Sequence, residues 1–244
     1  MKVKFVTYNI CHGEGLDGKI DIKRQAELIK DINPDAALLQ EVDICTDRCG
    51  HIDEMAELAK HADMPYYLKG VNIEFQNGLY ANGILSKNEI INSGKYLFEK
   101  VDEAHEQRNV TYGQITIGGK KIHLFCTHLS TNKEERMLAM NKLLELISKI
   151  DKNEYIILGG DFNFGIKLIA KHVYEYDDKE AIEECELLKE RLEKIDNTEL
   201  TWFSESGKAC IDTFFYSKNI SNAKFKTIKN EYSDHYPVVL EIDI

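Results

Sequence analysis

Short β-branched apolar runs alternate along this chain with stretches whose apolar residues recur every three or four positions. The first run, Val3 to Asn9, predicts a strand. Asp21 can cap a helix that places Ile22, Ala26, Ile29 and Ile32 at helical spacing, and Asn33-Pro34 stops it. Ala36-Ala37-Leu38-Leu39-Gln40 is a continuous apolar run of strand length, which predicts burial on both faces. A short helix is expected from about Ile52 to His61. Strands are expected near Tyr66–Gly70, Ala81–Ser86, Thr111–Ile117 and Lys121–Thr127, with Gly118-Gly119 as the hairpin turn between the last two. A long helix from Lys133 to Ile150 carries Met137, Met140, Leu144 and Ile147 along one face. Tyr155–Leu158 reads as a buried strand, and Ile211–Tyr216 and Val238–Ile242 close the series. Between Lys179 and Lys194 charge is dense, with Ile182, Cys185, Leu188 and Leu192 at helical intervals. That predicts an amphipathic surface helix with a solvated, acid-rich face.

Hairpins mixed with helical crossovers exclude a purely parallel doubly wound sheet. Two sheets packed face to face, with helices outside, accommodate all the elements. The chain shows no repeat, low-complexity tract or linker, so one domain spanning residues 1–244 is expected. Its net charge of -11 argues against a long polyanion as substrate, because phosphate neutralisation needs a basic footprint. Extended nucleic acid is therefore disfavoured. The first strand begins at once, without the apolar core of a signal peptide, and no segment approaches a membrane span. A cytoplasmic monomer is expected. Cys45 and Cys49 are not followed by a second pair at zinc spacing, so reduced thiols are expected throughout.

The chemistry-bearing residues stand at strand ends. Glu41 follows a buried run and suits a hard cation such as magnesium. Asn9, before the glycine-bearing loop Cys11-His12-Gly13-Glu14-Gly15, can ligate through its oxygen or orient a phosphate oxygen through its nitrogen; His12 and Glu14 rank lower. Asp161 and Asn163 lie two apart, so in extended geometry they project to one side and can hold an attacking water and a scissile phosphate. His128 can donate to a phosphate oxygen, and the Arg108 fork matches phosphate geometry. His235 is the natural general base, with Asp212 to fix its tautomer and Asp234 to reach a metal beside Glu41. Each residue alone is ordinary; the ordered series points to metal-assisted phosphoryl transfer.

The motifs Tyr8-Asn9, Leu39-Gln40-Glu41-Val42, Arg108, Thr127-His128-Leu129, Gly160-Asp161-Phe162-Asn163, Ile211-Asp212 and Ser233-Asp234-His235-Tyr236-Pro237 occur in an order that resembles the endonuclease/exonuclease/phosphatase superfamily. The resemblance covers nearly the whole chain, and Asn9 to Gly13 together with Asn82-Gly83-Ile84-Leu85-Ser86 is most similar to small bacterial members. It implies an α+β fold: a four-layer α-β-β-α sandwich of two mixed, largely antiparallel sheets flanked by helices. It implies Mg2+, with Mn2+ as a substitute, held by Glu41, Asn9 and Asp234. Asp161 and Asn163 would position water and phosphate, His235 oriented by Asp212 would be base or phosphate stabiliser, and Arg108 and His128 would grip phosphate oxygens. In-line hydrolysis of a small or lipid-head-group phosphate ester is the expected reaction. A DNA or RNA nuclease and a catalytically silent binding protein are the alternatives. One departure concerns Cys11: abasic-site endonucleases usually carry an acidic residue two after the first asparagine, which lowers the DNA-repair reading.

Overall fold

The computed structural model describes residues 1–170, 173–189, 191–195, 199–204 and 207–244. Its elements are β1 (Lys2–Asn9), α1 (Ile22–Ile32), β2 (Ala36–Ile44), α2 (Glu54–His61), β3 (Tyr66–Phe75), β4 (Gly78–Ser86), β5 (Ile91–Leu97), β6 (Asn109–Ile117), β7 (Lys120–His128), α3 (Lys133–Ser148), β8 (Tyr155–Asp161), β9 (Ile166–Ala170), β10 (Val173–Tyr176), α4 (Asp178–Lys189), β11 (Leu192–Lys194), β12 (Trp202–Ser204), β13 (Gly207–Ala209), β14 (Asp212–Ser217), β15 (Ser221–Thr227) and β16 (Val238–Asp243). One six-stranded sheet has the order β15-β16-β1-β2-β4-β3 and the other β11-β14-β8-β7-β6-β5. Each is antiparallel except for one parallel pair, β1 with β2 and β7 with β8.

Side-chain alternation along the strands makes the layers. Phe5, Leu38, Ile84 and Leu240 of the first sheet meet Ile122, Leu124, Ile157 and Phe214 of the second in one buried cluster. Their neighbours Val6, Leu39 and Leu85 point the other way, onto Ile22, Ala26, Ile29, Met55 and Leu58 of α1 and α2. Ile156, Leu158 and Phe215 likewise face Met140, Leu143, Ile147, Cys185 and Leu188 of α3 and α4. The result is a four-layer α-β-β-α sandwich. Runs such as Ala36–Leu39 are apolar at every position because both faces of the strand are covered.

Local chemistry sets the boundaries. Asp21 accepts from the Lys23 N–H at 3.1 Å and opens α1, and Asn33 closes it in the left-handed region at φ 54°. The second expected helix starts two residues late, at Glu54, because Asp53 is its cap. β3 and β4 are longer than expected and join through Gln76-Asn77, both at positive φ, in a tight hairpin. β5 and β15 are edge strands with largely exposed residues, and their sequences lack the apolar signal of a central strand. Cys45 is exposed and the Cys49 thiol donates to the Thr46 and Ile52 carbonyls at 3.3 Å, so this pair shapes a turn.

The charged stretch after Lys179 departs most from expectation. α4 ends at Lys189, Glu190 lies outside the described residues, and Leu192–Lys194 pairs with β14 as a strand. Ile182, expected on the inward face, is 64% exposed, while Glu180 and Glu184 are buried. Their partner is Arg136 of α3, fully buried, whose Nη2 lies 3.2 Å from Glu180 Oε1 and 2.8 Å from Glu184 Oε1. Cys185 and Leu188 are buried as the spacing predicts, and the guanidinium adds Glu180 and Glu184 to that inward face in place of Ile182. No helix among the described residues is long and apolar enough to cross a membrane.

Candidate active site

Strand register brings the first group together. On the second sheet His128 of β7 and Asp212 of β14 are both Cα partners of Asp161 at the end of β8. Gly159 and Gly160 precede Asp161, and a Cβ on Gly160 would lie 2.0 Å from the Thr127 carbonyl oxygen, so only glycine lets β7 approach this closely. His128 Nε2 lies 3.3 Å from Asp161 Oδ2. Arg108 Nη1 donates to His128 Nδ1 at 2.8 Å, which leaves the ring hydrogen on Nε2. Arg108 also pairs with Glu106 at 2.8 Å. His235 Nδ1 donates to Asp212 Oδ2 at 2.8 Å, and its Nε2 lies 3.8 Å from Asp161 Oδ2.

The first sheet contributes Asn9 and Glu41. The pairing of β2 with β4 slips between Leu39 and Val42, and in this bulge Glu41 takes a left-handed backbone, φ 58°. A buried strand thereby turns one carboxylate toward the gap between the sheets. Asn9 Nδ2 donates to Glu41 Oε1 at 2.9 Å and to Asp161 Oδ2 at 3.2 Å, tying the sheets together. Its oxygen accepts the Cys11 N–H at 3.1 Å, so Asn9 meets the carboxylates through its nitrogen. Asn163, also left-handed at φ 50°, donates Nδ2 to the Leu129 carbonyl at 3.0 Å, and its N–H caps Asp161 Oδ1 at 3.1 Å. Asp234 arrives on the loop before β16, where Ser233 Oγ donates to the Asn9 carbonyl and accepts from the His235 N–H.

Glu41, Arg108, His128, Asp161, Asn163, Asp234 and His235 line one cavity of about 400 Å³. Asn9 and Asp212 brace it from behind. Thr131, Ile166, Tyr174, Trp202 and Ile211 complete the wall; of these, sequence reasoning had named only Ile211, in the Ile211-Asp212 motif. Trp202 packs edge-on to Tyr174 at 5.6 Å and forms a single β-bridge with His235. Thr201 beside it accepts the Asp212 N–H on its hydroxyl at 3.0 Å and the Tyr236 N–H on its carbonyl at 2.7 Å. That residue locks the His235 loop to the Asp212 strand. A lone threonine in an irregular stretch offers no periodicity by which to find it.

Burial and charge set the protonation states. Burial disfavours a charged His235, but the Asp212 and Asp234 carboxylates outweigh it and lift the imidazole to about 10. At neutral pH His235 therefore holds its proton, which favours phosphate stabiliser over base between the two roles expected of it. His128 is pushed the other way, well below its ordinary value, by burial and then by Arg108 and His235. Asp161 is raised to about 7 by burial and by Asp212. Burial raises Asp234, and Glu41 adds to that rise. Burial, then Asp234 and Glu41, also holds the Cys11 thiol in its neutral form. Carboxylates that raise one another's proton affinity around one cavity, with oxygen donors dominant, fit a hard divalent cation.

The fold is a two-sheet sandwich with a polar, carboxylate-rich cavity lined from both sheets. The chain belongs to the Endonuclease/Exonuclease/phosphatase family, whose model matches residues 6–235. Members of the family are metal-dependent hydrolases. A 5'-tyrosyl-DNA phosphodiesterase from Caenorhabditis elegans is 30% identical over 178 residues, covering 66% of this chain and 43% of that protein. The chain thus spans less than half of that relative's length. The YbhP protein of Escherichia coli is 24% identical over 172 residues, covering 66% of either chain. A family structure from Bacteroides vulgatus superposes with a TM-score of 0.76 at 19% identity, over 100% of this chain and 99% of that one. At that identity the likeness is one of fold.

Proposed function

We propose that this chain is a divalent-cation-dependent phosphoesterase acting on a small or lipid-head-group phosphate ester by in-line attack of water on phosphorus. The observation that carries the reading is the convergence of Arg108, His128, Asp161, Glu41 and His235, the last held by Asp212, on the walls of one cavity. Magnesium, or manganese in its place, would be held by Glu41 with Asp234, and it supplies electrophilic assistance at the phosphoryl group when bound. Asn9 orders the Glu41 carboxylate through its amide nitrogen. Arg108 offers its remaining guanidinium N–H groups to phosphate oxygens. His128, neutral and fixed by Arg108, sets its Nε2 3.3 Å from Asp161 Oδ2. Asp161, poised near neutrality, orients the attacking water and receives its proton. His235 meets the negative charge growing on the phosphoryl oxygens, while Asp212 stabilises the imidazolium. Asn163 fixes the loop that follows Asp161.

A second reading, cleavage at a nucleic-acid phosphodiester, is favoured by the name of the C. elegans relative. The net charge of -11 weighs against a long polymer, because neutralising many phosphates calls for a basic footprint. The test is hydrolysis of an aryl phosphodiester and the matching monoester, with and without Mg2+ or Mn2+, by the wild type, Glu41→Gln and His235→Ala. Cation-dependent turnover that is weakened in Glu41→Gln and lost in His235→Ala supports the proposal. Absence of turnover on both esters, and on a panel of nucleotides and head-group phosphates, sinks it in favour of a silent binding scaffold.

A further inference from the structure

Glu41 has neighbours that the proposed reaction does not use. Cys11 and His12 follow β1 in a single turn, Cys11–Gly13, and come back to the Glu41 carboxylate. A thiol sulfur, an imidazole nitrogen and a carboxylate oxygen from these three residues all lie within 4.8 Å of one another. Asp234, whose carboxylate acts electrostatically on the Cys11 thiol, lines the same cavity as Glu41. His12 Nε2 lies 3.1 Å from Glu14 Oε2, while its Nδ1 is buried with no hydrogen-bond partner among the described residues. A carboxylate that takes one ring N–H and leaves the other nitrogen's lone pair unused is the arrangement that orients metal-bound histidines. An unpaired buried nitrogen is costly unless something fills its place. Sulfur and imidazole prefer ions softer than magnesium.

We infer that Cys11, His12 and Glu41 form one mixed-donor cation site, selective for zinc- or cobalt-like divalent ions over magnesium, with Glu14 orienting His12. The inference rests on the reading that Glu41 binds a cation, and extends it to this chain's departure at Cys11. On binding, the thiol gives its proton to solvent and ligates as thiolate. Magnesium has no use for that sulfur, so the two kinds of ion report on different donors at one place.

The test uses the full chain, stripped of metal, reduced and handled without oxygen. Titration with Co2+ is followed by absorbance, because a thiolate ligand gives a near-ultraviolet sulfur-to-cobalt charge-transfer band. The band is expected in the wild type and absent in Cys11→Ser, while weaker visible cobalt bands persist through the remaining nitrogen and oxygen donors. Calorimetry should show weaker Zn2+ binding in Cys11→Ser with Mg2+ binding unchanged, and a Zn2+ affinity about 10–100-fold lower in Glu14→Ala. Cobalt binding that needs Glu41 but gives no such band overturns the Cys11 site and leaves the Glu41 reading standing. A band that survives Cys11→Ser belongs to another thiol and overturns the inference too. Cobalt binding that is absent, or indifferent to Glu41→Gln, removes both. Circular dichroism checks folding, and Cys11→Ala is read instead if the serine variant does not fold.

Discussion

Asp212 controls the charge of the candidate site. It is fully buried; one oxygen takes the His235 Nδ1–H and the other has no hydrogen-bond partner among the described residues. In the proposed reaction Asp161 must be deprotonated and His235 protonated. Therefore kcat/KM should rise as pH climbs through about 7 and fall as it passes through about 10. Asp212→Asn keeps the shape and removes the charge that outweighs burial at His235. We expect kcat/KM to fall about 10²–10⁴-fold and the alkaline limb to move to lower pH. A pH–rate profile whose alkaline limb stays in place in Asp212→Asn would take His235 out of that limb. The same pair bears on stability. An imidazole raised from about 6.5 to about 10 stabilises the fold fully below the lower value, and that contribution is lost as pH rises through the upper one.

At the scale of elements, two contacts hold the site in place. The first is the close approach of β7 and β8 at Gly160. Gly160→Ala sets a methyl 2.0 Å from the Thr127 oxygen, so one strand must move, and His128 and Asp161 move with it. We expect about 1–3 kcal/mol of lost stability, read by thermal or urea unfolding, together with reduced turnover. A variant as stable and as active as the wild type would show that the strands are not locked there. The second contact is Arg136, which donates to the Ser130 and Ile166 carbonyls and to Glu184, and ties α3 and α4 to the loop that carries Thr131 and to the start of β9 at Ile166, both at the cavity. Arg136→Met leaves Glu180 and Glu184 buried without their main cation and should cost about 3–5 kcal/mol. Replacing all three together, as Arg136→Met with Glu180→Leu and Glu184→Leu, should recover most of that loss in the same unfolding measurement. If it does not, the triad does more than neutralise its own charges.

For the whole molecule, a net charge of -11 with one cavity between two sheets suits a compact ester better than a long polyanion. The rate on a small phosphodiester should stay nearly flat between about 50 and 200 mM salt, whereas binding through many phosphates would fall by orders of magnitude over that range. A steep fall with oligonucleotide substrates would favour the nucleic-acid reading. Much of the architecture was legible along the chain. Apolar runs covered on both faces, helical spacing and caps such as Asp21 are local signals, so they fixed the order of most elements and the layers that must cover them. Edge strands such as Ser221–Thr227 were not legible, because half-exposed alternation resembles a polar loop. On α4 the spacing located Cys185 and Leu188 but misplaced Ile182 and gave no sign of the buried Glu180 and Glu184, because their burial depends on Arg136, more than forty positions away in the chain. The polar residues of the site were visible as a series at strand ends, but not their contacts. Asn9 reaches Asp161 across 152 positions, and Thr201 joins two loops by backbone bonds that no local pattern announces. Protonation was decided in the same way. A histidine's charge follows from how deeply it is buried and which carboxylates surround it, and only the packing of one sheet against the other settles either.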